Sequence, residues 1–230
     1  MDKIKIIVNG ALGKMGKEVI KAVSNEPDME VVAQIDINDN LDQTIKKHVG
    51  AHRDVPVLID FTTPKSVMNN IRTAAQNKCH VIVGTTGITE KDLQEIKSLC
   101  EKNGINALVV PNFAIGAVLM MKYASDAVKY MPKAEIIELH HDQKLDAPSG
   151  TALKTAEMMK KASGIEDIPI HSVRLPGFVA DQEVIFGGLG QTLTIKHETI
   201  GRECFMPGVI LAAKKIKDLK GLTCGLENIL

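Results

Sequence analysis

The feature that most constrains this chain is Gly10-Ala-Leu-Gly13-Lys-Met-Gly16, which follows the apolar run Ile4 to Val8 and opens into Met15, Val19, Ile20 and Val23 at helical spacing. Strand, small-residue turn and helix start, in that order, let the backbone turn tightly. They also aim N–H groups at the place where a phosphate settles. The spacing is G-x-x-G-x-x-G and not G-x-G-x-x-G, but the mechanism is the same. A second strand, Glu30 to Ile35, runs out at Asp36, about twenty residues beyond the last glycine, where a carboxylate can accept hydrogen bonds from a ribose diol. A structural turn followed by a solvated aspartate is the bland alternative. The coincidence of strand, turn, helix and acid points instead to a dinucleotide site.

Apolar runs alternate with helical stretches through the first half. Ile4 to Val8, Glu30 to Ile35, Val57 to Phe61, His80 to Val83 and Ala107 to Val110 are the predicted strands. Helices are predicted over Lys14 to Ser24, over a stretch with Pro64 in its first turn and Val67, Met68 and Ile71 within it, and after a capping segment at Thr89 to Asp92. Such alternation needs crossovers and hence a parallel sheet, giving an α/β, doubly wound, Rossmann-type unit. Gly84-Thr85-Thr86-Gly87 ends the fourth strand, where ligands of such sheets collect. The polar stretch Asn38 to Lys47 reads as a loop or a short helix.

After Pro111-Asn112 the rhythm changes. A helix over Ala114 to Tyr130, a strand over Ala134 to His141 and a helix after Pro148 precede strands at His171 to Arg174, Glu183 to Phe186 and Thr192 to Glu198. Strands that follow one another without helices imply an α+β domain with an open mixed sheet. Pro207-Gly208 opens a last helix, expected to return to the first domain. The expected division is a dinucleotide-binding domain over 1–111, completed by 206–230, and a substrate-binding and oligomerisation domain over 112–205.

Lysine plus arginine and aspartate plus glutamate both total 28, so overall charge gives no reason to expect a nucleic-acid partner. Tryptophan is absent, which argues against a base-stacking platform. No apolar run approaches the roughly eighteen residues of a membrane helix. Met1-Asp2-Lys3 runs into the first strand with no leader pattern, so a cytoplasmic location is expected. Cys79, Cys100, Cys204 and Cys224 are scattered and read as reduced thiols without a metal.

The most informative stretch is His140-His141-Asp-Gln-Lys144-Leu-Asp-Ala-Pro148-Ser149-Gly150-Thr151. Neighbouring side chains on a strand face opposite ways, so both histidines reach one cavity only if the strand ends near His141. Ser149, Gly150 and Thr151 then start a helix whose N–H groups and hydroxyl suit a carboxylate. A histidine, or a lysine with a lowered pKa, can deliver a proton. Adjacent histidines lack the i, i+4 spacing of helical zinc pairs, so a metal ranks low.

With these residues in view the chain resembles the bacterial dihydrodipicolinate (4-hydroxy-tetrahydrodipicolinate) reductase family over nearly its whole length. The resemblance rests on Gly10 to Gly16, Asp60-Phe-Thr62, Gly84 to Gly87, Pro111-Asn-Phe113, the string His140 to Thr151, and Arg202-Glu-Cys-Phe205. It implies a homotetramer built through the second domain's sheet. It also implies His140 as catalytic acid/base, Lys144 as proton donor, and His141, Gly150 and Thr151 as substrate-binding residues. Cofactor contacts are implied at Gly10, Ala11, Leu12, Gly13, Lys14, Met15, Asp36, Gly84, Thr85, Thr86, Val110, Pro111, Asn112 and Phe113. The implied reaction is reduction of a cyclic imine dicarboxylate by hydride from NADH or NADPH.

Ile37 stands where relatives that favour the 2′-phosphate often carry a basic residue, so NADH is favoured. Lys14, Lys46 and Lys47 keep NADPH open. Two competing readings are another Rossmann oxidoreductase of small carboxylates, with Cys204 as nucleophile, and a non-catalytic nicotinamide sensor. A serine hydrolase is disfavoured, because Ser149 lacks the G-x-S-x-G elbow.

Overall fold

The computed structural model describes residues 3–49 and 55–230; Met1 and Asp2, on which the expectation of a leaderless start rests, lie outside the described residues. The chain divides into two compact units, Met1–Phe113 with Phe205–Leu230, and Ala114–Cys204.

The first unit is built on β1 (Ile4–Asn9), β2 (Met29–Ile35), β3 (Val57–Asp60), β4 (His80–Val83) and β5 (Ala107–Val109), with α1 (Lys14–Ser24), α2 (Leu41–His48), α3 (Val67–Gln76) and α4 (Glu90–Asn103) between them. Together with β10 (Leu222–Cys224), the five strands form a wholly parallel sheet in the order β10-β5-β4-β3-β1-β2. The strand order reverses about β1, so the ends of β1 and β3 form the switch point at which ligands of this architecture bind. A parallel sheet is covered on both faces, and Val57, Leu58, Ile59 and Asp60 of β3 are accordingly all buried.

Local chemistry sets the boundaries. Thr89 and Asp92 form a reciprocal capping box at the start of α4, and Gly104 ends that helix in the left-handed region at φ 65°. Within the stretch Asn38 to Lys47, Asn40 accepts from the Gln43 N–H and starts α2. The structure corrects the expectation for Pro64. It lies in a turn closed by the Thr63 carbonyl, which accepts from both Ser66 and Val67, and α3 begins only at Val67.

The sixth strand, β10, escapes sequence reading. The Asn106 amide accepts from the Gly221 N–H and donates to the Ile216 carbonyl, tying the approach to β10 against β5. The last helix, α7 (Met206–Lys215), packs against α1 in this unit, and Lys214 pairs with Glu26 at 2.7 Å.

In the second unit α5 (Ile115–Ala127), β6 (Lys133–His140), α6 (Gly150–Ser163), β7 (Ile170–Arg174), β8 (Ala180–Gly188) and β9 (Gln191–His197) give a sheet in the order β7-β6-β8-β9. β6 and β7 are parallel, joined through α6, whereas β8 and β9 run antiparallel, so the sheet is mixed. One face buries Ile136, Val184 and Phe186 against Ala124 of α5, Val128 at its end, and Ala152, Ala156 and Met159 of α6.

Phe186 is fully buried in that core. Phe186→Ala is expected to destabilise the chain by about 3–5 kcal/mol, read as a lower urea midpoint. An unchanged midpoint would show that this core does not limit stability.

Candidate active site

In the first unit the glycine turn lies at the end of β1. Gly10 has φ +82°, and a Cβ there would stand 2.4 Å from the Phe61 carbonyl oxygen. A Cβ on Gly16 would meet the Gly10 carbonyl oxygen at 2.1 Å. Both positions therefore require glycine, and the turn lies flat against the ends of β1 and β3. Gly13 brings no capping side chain to the start of α1, and the first turn carries no acid, so the helix start suits an anion. Leu12, Gly13 and Lys14 are exposed, Met15 is half-buried and Ala11 is buried.

Asp36 reaches back into this turn. Its Oδ2 accepts from the Leu12 N–H at 2.8 Å and its Oδ1 from the Ile37 N–H at 2.9 Å. Hydrogen bonds from Ile37 and Leu12 hold this carboxyl below the usual range, so it is anionic at the mouth of the turn. Ile37 is almost fully exposed beside it.

Beneath the turn lies Asp60, fully buried at the end of β3. Its Oδ2 accepts from Asn9 at 2.9 Å and Asn70 at 2.8 Å; its Oδ1 accepts from the Thr62 and Thr85 hydroxyls at 2.7 Å each and the Thr62 N–H at 3.1 Å. One carboxylate thereby joins the ends of β1, β3 and β4 to α3. The Thr85 hydroxyl is committed to this hub, whereas Thr86 is exposed. A Cβ on Gly84 would strike the Phe61 ring at 2.1 Å, and Phe61 packs on Phe113 at 5.6 Å between ring centroids. Val110 and Phe113 are buried, Asn112 is half-buried and Pro111 is exposed. The sequence shows Asp60 within a motif, but nothing in the spacing discloses that it is a hub.

In the second unit β6 ends at His140, with His141 exposed beyond it. Alternation along β6 puts Glu138 and His140 on one face. Glu138 is fully buried and accepts from His140 Nδ1 at 2.5 Å. Arg174 of β7 clamps the same carboxylate through both terminal nitrogens, at 2.8 and 2.7 Å. The Ser149 N–H, at the cap of α6, donates to Glu138 at 3.2 Å, and the Ser149 hydroxyl accepts from Ala152. Burial pushes the Glu138 carboxyl up, but hydrogen bonds from Arg174, Ser172 and His140 outweigh it and hold the group below its ordinary value. Burial pushes the His140 imidazole below 6.5, against the opposing pull of Glu138.

Lys144 is paired with both oxygens of Asp146, at 2.7 and 2.8 Å. Among the described residues, nothing beyond its chain neighbours and its own helix backbone stands within 4 Å of a Gly150 Cβ, and α6 has no acid in its first turn, so its start suits an anion beside Thr151. The structure thus gathers His140, Lys144 and the start of α6 at one strand end. It adds Glu138 and Arg174, which sequence reading assigned no role. Period-two alternation could have flagged Glu138; Arg174, 36 residues away, carries no such signal.

Burial raises the Cys204 thiol, the wrong direction for a nucleophile. Among the described residues no three His, Cys, Asp or Glu side chains are placed to hold a metal, and no helix is long and apolar enough to cross a membrane.

Comparison with known proteins covers the chain end to end. Residues 4–113 match the family described as dihydrodipicolinate reductase, N-terminus, and residues 116–230 its C-terminus. The chain is 43% identical to a 4-hydroxy-tetrahydrodipicolinate reductase of Syntrophomonas wolfei, covering 99% of each chain. It is 45% identical to one of Listeria innocua, over 99% of this chain and 100% of the relative. A dipicolinate-bound dihydrodipicolinate reductase from Paenisporosarcina sp. TG-14 superposes with a TM-score of 0.82 at 41% identity, covering 99% of this chain and all of that one. A probable dehydrogenase from Thermotoga maritima, at 12% identity and a TM-score of 0.63 over 98% of this chain and 92% of that one, shares the fold alone.

Asp60→Ala strips the acceptor from Asn9, Asn70, Thr62 and Thr85 together. A loss on the order of 3 kcal/mol is expected from the donors left unpaired, measured by chemical denaturation. A loss below the noise of that measurement would remove Asp60 as the tie between the strand ends.

Proposed function

The chain belongs to the dihydrodipicolinate reductase family, and from that premise we propose that it reduces 4-hydroxy-tetrahydrodipicolinate to tetrahydrodipicolinate with loss of water, a step of diaminopimelate and lysine synthesis. The observation that carries the reading is the sharing of one carboxylate, Glu138, by the His140 imidazole and the cap of α6. A proton-transfer group and a carboxylate-binding helix start are thereby built as one piece. A nicotinamide sensor needs no such assembly.

The dinucleotide fits the first unit. Glycine at 10 and 16, where a Cβ would collide with the Phe61 and Gly10 carbonyl oxygens, keeps the turn flat, the start of α1 suits a pyrophosphate, and the Asp36 carboxylate at the mouth of the turn can accept from a ribose. Gly10 to Met15, Asp36, Gly84 to Thr86 and Val110 to Phe113 would hold it. When bound, the reduced nicotinamide supplies a hydride. His140 exchanges the proton that completes reduction of the ring, with Lys144 as a second donor. His141, Gly150 and Thr151 bind the dicarboxylate. Positive charge and donors around the ring stabilise the electron density it gains.

The Asp36 carboxylate favours NADH. A 2′-phosphate beside it would meet a like charge, while a ribose diol would donate to it. The four cysteines, none of them disulfide-bonded, go with a reducing, cytoplasmic location. A homotetramer is supported by the second unit's sheet. Alternation puts the partly exposed Ile137, Leu139, Val173 and Ile185 on the face turned away from α5 and α6. Glu135, His171, Glu183 and Lys196 share that face, and a second copy of the same face would cover the four apolar side chains among them.

Purified protein mixed with enzymatically generated 4-hydroxy-tetrahydrodipicolinate is expected to oxidise NADH in a reaction that requires both components. Absence of turnover despite dinucleotide binding would favour the sensor. His140→Gln is expected to lower kcat by about 100-fold or more with dinucleotide affinity unchanged; wild-type turnover would sink the assignment. A kcat/KM for NADPH well above that for NADH would overturn the reading of Asp36. Because burial holds His140 below 6.5, kcat/KM is expected to fall as pH rises through a value on the acid side of 6.5. A profile flat from pH about 5 to 8 would remove His140 as the acid.

A further inference from the structure

Glu138 is a carboxylate that the proposed reaction does not consume, yet it is fully buried within β6. Burying a carboxylate is costly unless every oxygen is satisfied, and an apolar side chain would fill the same space more cheaply. Its bonds show what the charge is used for. One oxygen takes His140 Nδ1 and one Arg174 nitrogen; the other takes the second Arg174 nitrogen and the Ser149 N–H. Arg174 also donates to the carbonyls of Asp146 and Val173, both at 2.8 Å. The network therefore locks β6, β7, the loop carrying Lys144 and the cap of α6 together.

Resting on the function proposed above, we propose that Glu138, clamped by Arg174, is a positioning residue for the reaction. It fixes the proton of neutral His140 on Nδ1, leaving Nε2 to exchange a proton with the substrate, and holds the start of α6 at a set offset from that imidazole. A carboxylate on one ring nitrogen selects the tautomer at the other. The clamp keeps that carboxylate ionised and oriented, because Arg174 presents a planar fork and stays charged at any working pH.

The charged groups around His140 are Glu138 on its own strand, Arg174 on β7 and Lys144 on the following loop, with Asp146 paired to Lys144. The residue opposite on β8 is Ala180, and α6 brings no acid in its first turn. Loss of Glu138 removes the one group that raises the His140 pKa and leaves the lowering influence of Lys144 and Arg174, so its titration moves to lower pH.

The test compares Glu138→Gln with the double variant Glu138→Gln/Arg174→Met, which avoids leaving Arg174 unpaired should the single variant fold poorly. Readouts are the histidine side-chain ¹⁵N spectrum, the pH profile of kcat/KM, and NADH affinity. In whichever variant is folded, we expect His140 to lose its Nδ1–H tautomer. The descending limb of the profile should move to lower pH, and kcat should fall about tenfold or more with NADH affinity unchanged. Glu138→Asp, folded by circular dichroism, is expected to restore part of the tautomer preference. A folded variant with the wild-type tautomer and limb would overturn the proposal, as would a double variant with wild-type kcat. If the wild type itself does not turn over the dicarboxylate, the proposed reaction fails on its own, and the tautomer in the ¹⁵N spectrum still decides whether Glu138 sets His140.

Discussion

The buried Asp60 carboxylate is the interaction on which the first unit depends. A parallel sheet delivers its ligand-binding loops at one end, and each loop brings backbone and side-chain donors that the strand ladders no longer satisfy. Asn9, Thr62, Thr85 and Asn70 belong to four different segments, and all donate to this one group. An apolar residue at position 60 would pack, but it would leave those donors without acceptors. A charge that accepts five hydrogen bonds loses much of its solvation cost and sets where each loop leaves the sheet. The flat glycine turn follows, since Gly10 lies against the Phe61 carbonyl that Asp60 holds in place.

The second unit uses the same device. Glu138 is fully buried, as Asp60 is, and it too joins segments that are far apart in the chain. The difference lies in the donors. Asp60 collects neutral amides and hydroxyls, so its hub is fixed. Glu138 collects an imidazole and a guanidinium, so one of its partners can gain or lose a proton while the other cannot. The first arrangement builds a cradle and the second a site that responds to charge.

Much of this was legible from pattern. Strand His80–Val83 and helix Lys14–Ser24 lie where the apolar spacing predicts them, and the Thr89 to Asp92 segment forms its capping box because the signal is local. Pro64 misled because proline is as suited to a turn as to a helix start, and the Thr63 carbonyl chose the turn. Strand β10 has three residues, too few for any period, and is defined by its pairing with β5, to which the Asn106 side chain ties the chain before it at a separation of 115 residues. The site divides along the same line. His140 and Lys144 stand together in a short string, whereas the Arg174 clamp on Glu138 spans 36 residues, and no local spacing encodes a pairing made by a crossover.

The opposing influences on His140 have a consequence for the direction of proton flow. Burial favours the neutral form of the free imidazole, and a neutral ring that donates from Nδ1 to Glu138 presents a lone pair at Nε2. That is a base, whereas reduction of the ring calls for an acid. A dicarboxylate brings negative charge, which favours the protonated imidazole just as burial disfavours it. Glu138 tips the same balance, for an imidazolium on its Nδ1 side becomes an ion pair in a poorly solvated place. Under the role proposed for His140, the protonated acid forms when the anionic substrate arrives and reverts to a neutral ring once the proton has moved and the product leaves. Arg174 prevents the alternative outcome, in which Glu138 takes the proton itself, because two guanidinium hydrogen bonds keep that carboxylate anionic throughout.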